Sequence, residues 1–203
     1  FRSFALNASA TNATYSLNLN PAWNSSTISA RHSYTVTVGA NATDVNIKDD
    51  ISGSTITPDA TTKLFTLSLA TPSVIGTVKD PANANGIANS WVQAFNTTLG
   101  TWANGGNSTS GGNFGIALPN GNYKIEANVP WNMGSTLARS APCQIVVSNG
   151  SVASASGCTY AVDKSVTLNL RNPNITFIIK DSNGNPLSNA YVGLGLGSWN
   201  TGG

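Results

Sequence analysis

Apolar residues alternate with polar ones along most of this chain. The period-2 pattern recurs at Tyr15/Leu17/Leu19, Tyr34/Val36/Val38, Phe65/Leu67/Leu69, Phe114/Ile116/Leu118, Val166/Leu168/Leu170 and Ile175/Phe177/Ile179. Strict alternation puts one set of side chains on each face of a strand, so each run reads as a half-buried β-strand. Turn-forming pairs separate the runs: Asp49-Asp50, Asn85-Gly86, Asn120-Gly121, Asn149-Gly150 and Asn183-Gly184. No stretch carries the i, i+3, i+4 apolar stripe of an amphipathic helix. The Gly/Asn/Ser-rich stretch 103–113 reads as a loop by composition. Many short strands between turn signals predict an all-β chain of sandwich type.

The pattern also repeats. YSLNLNPAW (15–23) matches YKIEANVPW (123–131), and SARHSYTVTV (29–38) matches LARSAPCQIVV (137–147). KLFTLSLATPSVIGTVKD (63–80) matches KSVTLNLRNPNITFIIKD (164–181), and NGIANSWVQAF (85–95) matches NPLSNAYVGL (185–194). Their order never breaks, which is the signature of an internal repeat. The predicted unit is about 100 residues, the size of one sandwich. Residues 73–171 hold one whole unit. Residues 1–72 hold the later two-thirds of another, a sandwich lacking its opening strands. Residues 172–203 hold the opening third of a further one. Strands carrying Ile175, Phe177 and Ile179, then Val192 and Leu194, would complete the part-unit of a neighbouring subunit or of the next repeat in a longer chain. That is β-augmentation, and repeated head to tail it makes an open fibre.

The strings VIGTVKDPANANGIANSWVQAF (74–95), SGGNFGIALPNGNYKIEANVPW (110–131) and IIKDSNGNPLSNAYVGL (178–194) resemble the carboxypeptidase regulatory-like repeat. Its usual form is G-x-V-x-D, G-x-P-(L/I)-x-x-A-x-V, then D-x-G-x-F and P-x-G-x-Y. The resemblance implies a tandem immunoglobulin/transthyretin-like sandwich strung as modules in secreted or surface proteins. It implies no activity, because the shared residues mark strands and turns.

Composition narrows the function. Charged residues make up 9% of the chain, against about 25% in ordinary domains, and the net charge is +2. There are 26 Asn, 24 Ser and 22 Thr, but one His, one Glu and one Met. Amides and hydroxyls, not charges, keep this surface wet. No basic footprint for nucleic acid is present, and no apolar run approaches the ~18 residues of a membrane helix. Acid–base catalysis draws on residue types that are scarce here. The sequence therefore predicts no enzyme, no catalytic residues, no cofactor and no metal. His32 has Ser140 at its matching position, and Asp181-Ser-Asn-Gly-Asn185 reads as an Asx-Gly turn rather than a calcium loop. Lys79, Glu126 and Asn169 stand in the order of a pilin-type Lys–Asn isopeptide set. Alternation puts Glu126 and Asn169 on outward faces, which argues against that bond.

Cys143 and Cys158 bracket a strand–turn–strand, QIVVSNGSVASASG, so a disulfide is expected; two buried thiols are the alternative. A disulfide implies an extracellular setting. Asn-x-Ser/Thr occurs at Asn7, Asn12, Asn24, Asn41, Asn96, Asn107, Asn149 and Asn174, all but the last, which opens a strand, being candidate glycosylation sites. Trp23 matches Trp131, and Trp102 matches Trp199. These four read as loop residues, with a once-per-repeat interface, simple packing or sugar stacking as their open roles. The reading is thus an extracellular structural protein polymerising with itself. A polysaccharide- or surface-binding module is the alternative.

Overall fold

The computed structural model describes residues 13–21, 28–41, 44–130, 133 and 136–187, with the backbone alone at 193–195 and 199–202. The described chain is all-β. The first sheet has four antiparallel strands in the order of the chain: β1 (Ala13–Leu19), β2 (His32–Val38), β3 (Val45–Asp49) and β4 (Thr55–Ile56). The next nine strands are β5 (Val74–Lys79), β6 (Trp91–Asn96), β7 (Thr101–Asn107), β8 (Asn113–Ile116), β9 (Gly121–Ala127), β10 (Cys143–Ser148), β11 (Ser151–Ser156), β12 (Thr159–Tyr160) and β13 (Val166–Asn169). They form two facing sheets, ordered β11-β10-β9-β6-β7 and β12-β13-β5-β8. Every pairing in them is antiparallel except β13 with β5, which is parallel. A hairpin, β14 (Gly193–Gly195) with β15 (Trp199–Gly202), ends the described chain.

Alternation explains the core. Val74 and Val78 of β5, Val166 and Leu168 of β13, Tyr123 and Ile125 of β9, and Ile145 and Val147 of β10 are all buried in one cluster between the two sheets. Their sequence neighbours face outward, as period 2 requires. The first sheet has a smaller cluster of its own, Tyr34, Val36, Val38 and Ile47, flanked by half-buried Tyr15, Leu17, Phe65 and Leu67. A third contact joins the first sheet to the sandwich. Ala30 and Ala70 exchange backbone hydrogen bonds of 3.0 and 3.1 Å and pack with Ala117.

Three expectations are corrected. Residues 103–107 are strand, not loop, as part of β7. Their glycines suit close packing: a Cβ on Gly105 would come within 2.6 Å of the Trp91 ring. Trp102 likewise lies in a strand, opposite Phe95. Finally, the alternating runs 65–69 and 175–179 join no β-ladder.

Several local structures occur twice. Lys63 and Lys164 both have left-handed backbones, with φ of 57° and 66°. Ala30 bridges Ala70 as Ala138 bridges Arg171, and Lys79 bridges Gly86 as Lys180 bridges Pro186. The register between β6 and β7 slips at Ala94/Phe95, and that between β14 and β15 at Leu194/Gly195.

Candidate functional site

The two alternating runs without a ladder are the most unusual feature of the chain. In residues 64–69, Phe65 and Leu67 turn toward the first sheet's core, while Leu64 and Leu69 are exposed. The segment is held by side chains more than by backbone. The Tyr34 hydroxyl donates to the Ser68 carbonyl at 2.8 Å and accepts from the Ser68 N–H at 3.2 Å.

The second run shows more apolar surface. Ile175, Phe177 and Ile178 are 61%, 53% and 76% exposed. An Asx turn follows: the Asp181 carboxylate accepts from the N–H groups of Asn183 and Asn185 and from the Asn185 amide. These bonds, the Asn185 N–H first, hold the Asp181 carboxyl below its usual range. The same turn occurs at Asp80, whose carboxylate accepts from the Ala84 N–H and the Asn85 amide. Among the described residues no group of three His, Cys, Asp or Glu side chains could hold a metal.

His32 opens β2 and is buried, so it is a strand-end residue but not a surface one. Its Nε2 lies 2.9 Å from Asp49 Oδ1 and its Nδ1 2.8 Å from the Ser68 carbonyl. The ring stacks on Tyr34 with centroids 4.3 Å apart. Both nitrogens thus face acceptors, and among the described residues neither faces a serine hydroxyl. The group clamps segment 64–69 to β2 and β3 and has no triad geometry. Burial raises the Asp49 carboxyl, but bonds from His32 and from the Ser52 and Ile51 N–H groups outweigh it and hold it below its usual range. Burial, aided by the nearby Asp49 charge, raises the Tyr34 hydroxyl despite its bond to Ser68.

The outer face of the five-stranded sheet carries the aromatic residues. Trp102, Phe95 and Lys124 are successive cross-strand partners on β7, β6 and β9; Gly105, Gln93 and Glu126 form the next row. The Arg31 guanidinium, from the first sheet, lies 5.6 Å over the Trp102 ring. Trp23 and Trp131 lie outside the described residues, as does the Trp199 side chain.

Cys143 and Cys158 form a disulfide, with Cα atoms 5.2 Å apart. Asn149 and Gly150, at φ 52° and 71°, make the tight turn between β10 and β11 that brings them together. Of the candidate sequons, Asn41, Asn107 and Asn149 are exposed, and Asn96 is half-buried with its side chain bonded to the Thr98 and Leu99 N–H groups. Asn7, Asn12 and Asn24 lie outside the described residues, as do Val192 and the Leu194 side chain. Lys79 and Asn169 are cross-strand partners in one sheet, while Glu126 lies in the other.

Comparison with known families, curated proteins and solved structures found no match to this chain.

Proposed function

We infer that this chain is a structural component of an extracellular fibre of tandem β-sandwiches, each about 100 residues. The observation that carries this reading is the pair of unpartnered runs. In the sandwich, β5 lies parallel to β13, with Gly76 opposite Val166 and Val78 opposite Leu168. The sequence equivalents of β5 are residues 175–180, and those of β13 are residues 65–68. Each has the strand pattern and, among the described residues, lacks the partner that its counterpart has. Ile175 and Ile179 stand where β5 buries Val74 and Val78, and Phe177 stands where β5 has Gly76. The twice-occurring lysine turns, bridges and register slips support the repeat.

Residues 175–180 of one period therefore serve as the opening strand for a closing segment like 64–69 in the next. The register copied from the sandwich sets Phe65 beside Phe177, Thr66 beside Ile178 and Leu67 beside Ile179. An unpaired strand edge with apolar side chains is strongly disposed to such pairing. The arrangement is heterologous and does not close, so it grows as a filament. It holds equally if successive periods are separate subunits or stretches of one polypeptide. The resemblance to carboxypeptidase regulatory-like modules supports the same picture, and the disulfide and exposed sequons suit a secreted, glycosylated chain. No catalytic role enters this function.

Electron microscopy and a denaturing gel of the same sample test it. Filaments that dissolve to a band near 20.9 kDa, or larger if glycosylated, place the join between subunits. Filaments that remain one long chain place it within a polypeptide. Single particles overturn the reading.

A further inference from the structure

The outward face of the five-stranded sheet holds a groove of about 260 Å³ lined by Gln93, Ala94, Phe95, Trp102, Lys124 and Glu126. Strand packing alone does not account for its chemistry. Two exposed aromatic rings lie side by side across β6 and β7, Phe95 at 38% and Trp102 at 50% exposure. The row beside them has Gly105 under the Trp91 ring at its β7 end and is polar along β6 and β9. There Gln93 donates from Nε2 to Glu126 Oε2 at 3.3 Å. Glu126 is buried on an outward face, an expensive place for a carboxylate. Its Oε2 has Arg139 at 3.6 Å, while Oε1 has only the Lys124 ammonium, at 3.9 Å, among the described residues. Among the described residues that oxygen accepts no close hydrogen bond, which leaves it lone pairs to spare.

We propose that this groove is a binding subsite for one pyranose ring of a glycan. A pyranose has a flat C–H face and a rim of hydroxyls, and the groove offers the complement of both. The exposed parts of the Phe95 and Trp102 rings receive the apolar face, beside the Lys124 ammonium 5.8 Å over the first and the Arg31 guanidinium 5.6 Å over the second. Glu126 Oε1 and the Gln93 carbonyl accept from hydroxyls, and the Lys124 ammonium donates to one. Arg31, stacked on Trp102, braces that ring from the first sheet. The volume lies just under the ~300 Å³ lower bound of drug-sized pockets, so a single ring fits and the remainder of the chain runs out over the surface. The fibre reading is independent of this site, which occurs once in the 203 residues, since Ser16 and Asn18 stand at the positions matching Lys124 and Glu126.

The test follows the tryptophan indole N–H signals by NMR in the whole chain while cellohexaose or an α-mannohexaose is added. These probes differ in ring stereochemistry and linkage. One indole signal is expected to shift at millimolar sugar for at least one probe. Trp102→Ala removes that signal and weakens binding by about tenfold or more, and Glu126→Gln and Phe95→Ala each weaken it several-fold. Leu99→Ala, at an exposed turn outside the groove, leaves it unchanged. Circular dichroism on each variant confirms that the sheet persists. No response to either sugar, or a response that survives both Trp102→Ala and Phe95→Ala, overturns the proposal. Indole shifts that depend on protein concentration rather than sugar would assign the patch to a second copy and also overturn it.

Discussion

The Arg31 guanidinium stacks over the Trp102 ring, at 5.6 Å from its centroid, and so ties the first sheet to the sandwich. The same guanidinium donates to Asn18 Oδ1 at 2.7 Å, which holds it across β1. Beside it the Asn104 amide reaches the Arg31 carbonyl at 3.5 Å and the Ala117 carbonyl at 2.9 Å. A cation on a half-exposed ring is worth about 0.5–1 kcal/mol. A double-mutant cycle of Arg31→Ala and Trp102→Ala in urea should return a coupling of that order. Additive effects would mean that the ring and the cation do not support each other.

Phe177→Ala should abolish filament growth while leaving the thermal melt of the sandwich unchanged. Phe177 is half-exposed in the chain and is the largest side chain of the proposed complementing strand. Buried aromatic anchors carry most of the energy of such contacts, and losing one costs about 2 kcal/mol or more. Filaments of normal length from this variant would remove residues 175–179 from the join. A second probe checks register: Thr66→Cys with Ile178→Cys should cross-link successive periods on oxidation, and either single change should not.

The clamp at His32 predicts acid sensitivity of segment 64–69. Asp49 has a folded pKa below its ordinary value, so its contribution is fully present above that ordinary value. It is lost as pH falls through the lower folded value. Asp49→Asn should flatten this acid dependence and cost about 1.5–3 kcal/mol near neutrality, as expected for a hydrogen bond to a charged group. Amide exchange at Ser68, whose N–H is bonded to Tyr34, gives a local readout that global unfolding would not.

Reduction of Cys143–Cys158 should lower sandwich stability by about 3 kcal/mol, the loop-closure value for two residues 15 apart in sequence. The paired change to alanine should do the same in urea unfolding with and without reductant. The core cluster around Tyr34 and Val36 contains neither cysteine and should be unaffected.

Gly105→Ala should cost about 1–3 kcal/mol, because its Cβ would sit 2.6 Å from the Trp91 ring and 2.7 Å from the Val92 carbonyl. Gly150, in the β10–β11 turn, has open space around it, and its φ of 71° gives it a different liability. Substitution there should act through backbone strain alone, at roughly 1 kcal/mol. Urea midpoints of the two variants distinguish the mechanisms when Trp91 fluorescence is followed as well.

Much of the fold was legible because period 2 is a physical consequence of the strand itself. Tyr34, Val36 and Val38 could be assigned to one face from their spacing, and the structure buries all three. Asn149-Gly150 announced its turn through the left-handed backbone that few other residues accept, and with it the cysteine pairing. Stretch 103–107 was misread for a related reason. Glycine and asparagine signal loops when only local propensity is weighed, yet here Gly105 is in a strand because Trp91 needs its space. His32 stands out in the sequence only as the single histidine, with Ser140 at its matching position, and its burial depends on Asp49 and Ser68, which lie 17 and 36 residues away.

The sequence by itself determined the all-β character, the strand faces, the turns and the cysteine bridge, since each rests on interactions between near neighbours or on backbone stereochemistry. Tertiary structure alone decided which strands pair. Phe65/Leu67/Leu69 and Ile175/Phe177/Ile179 alternate as cleanly as Val166/Leu168/Leu170, but only the last meets a partner strand, β5. Alternation specifies a face, whereas a ladder requires a second backbone at hydrogen-bonding distance, and that is a property of distant segments brought together. The grouping of Phe95, Trp102, Gln93 and Glu126 has the same origin: three separate strands, aligned by register, assemble one groove.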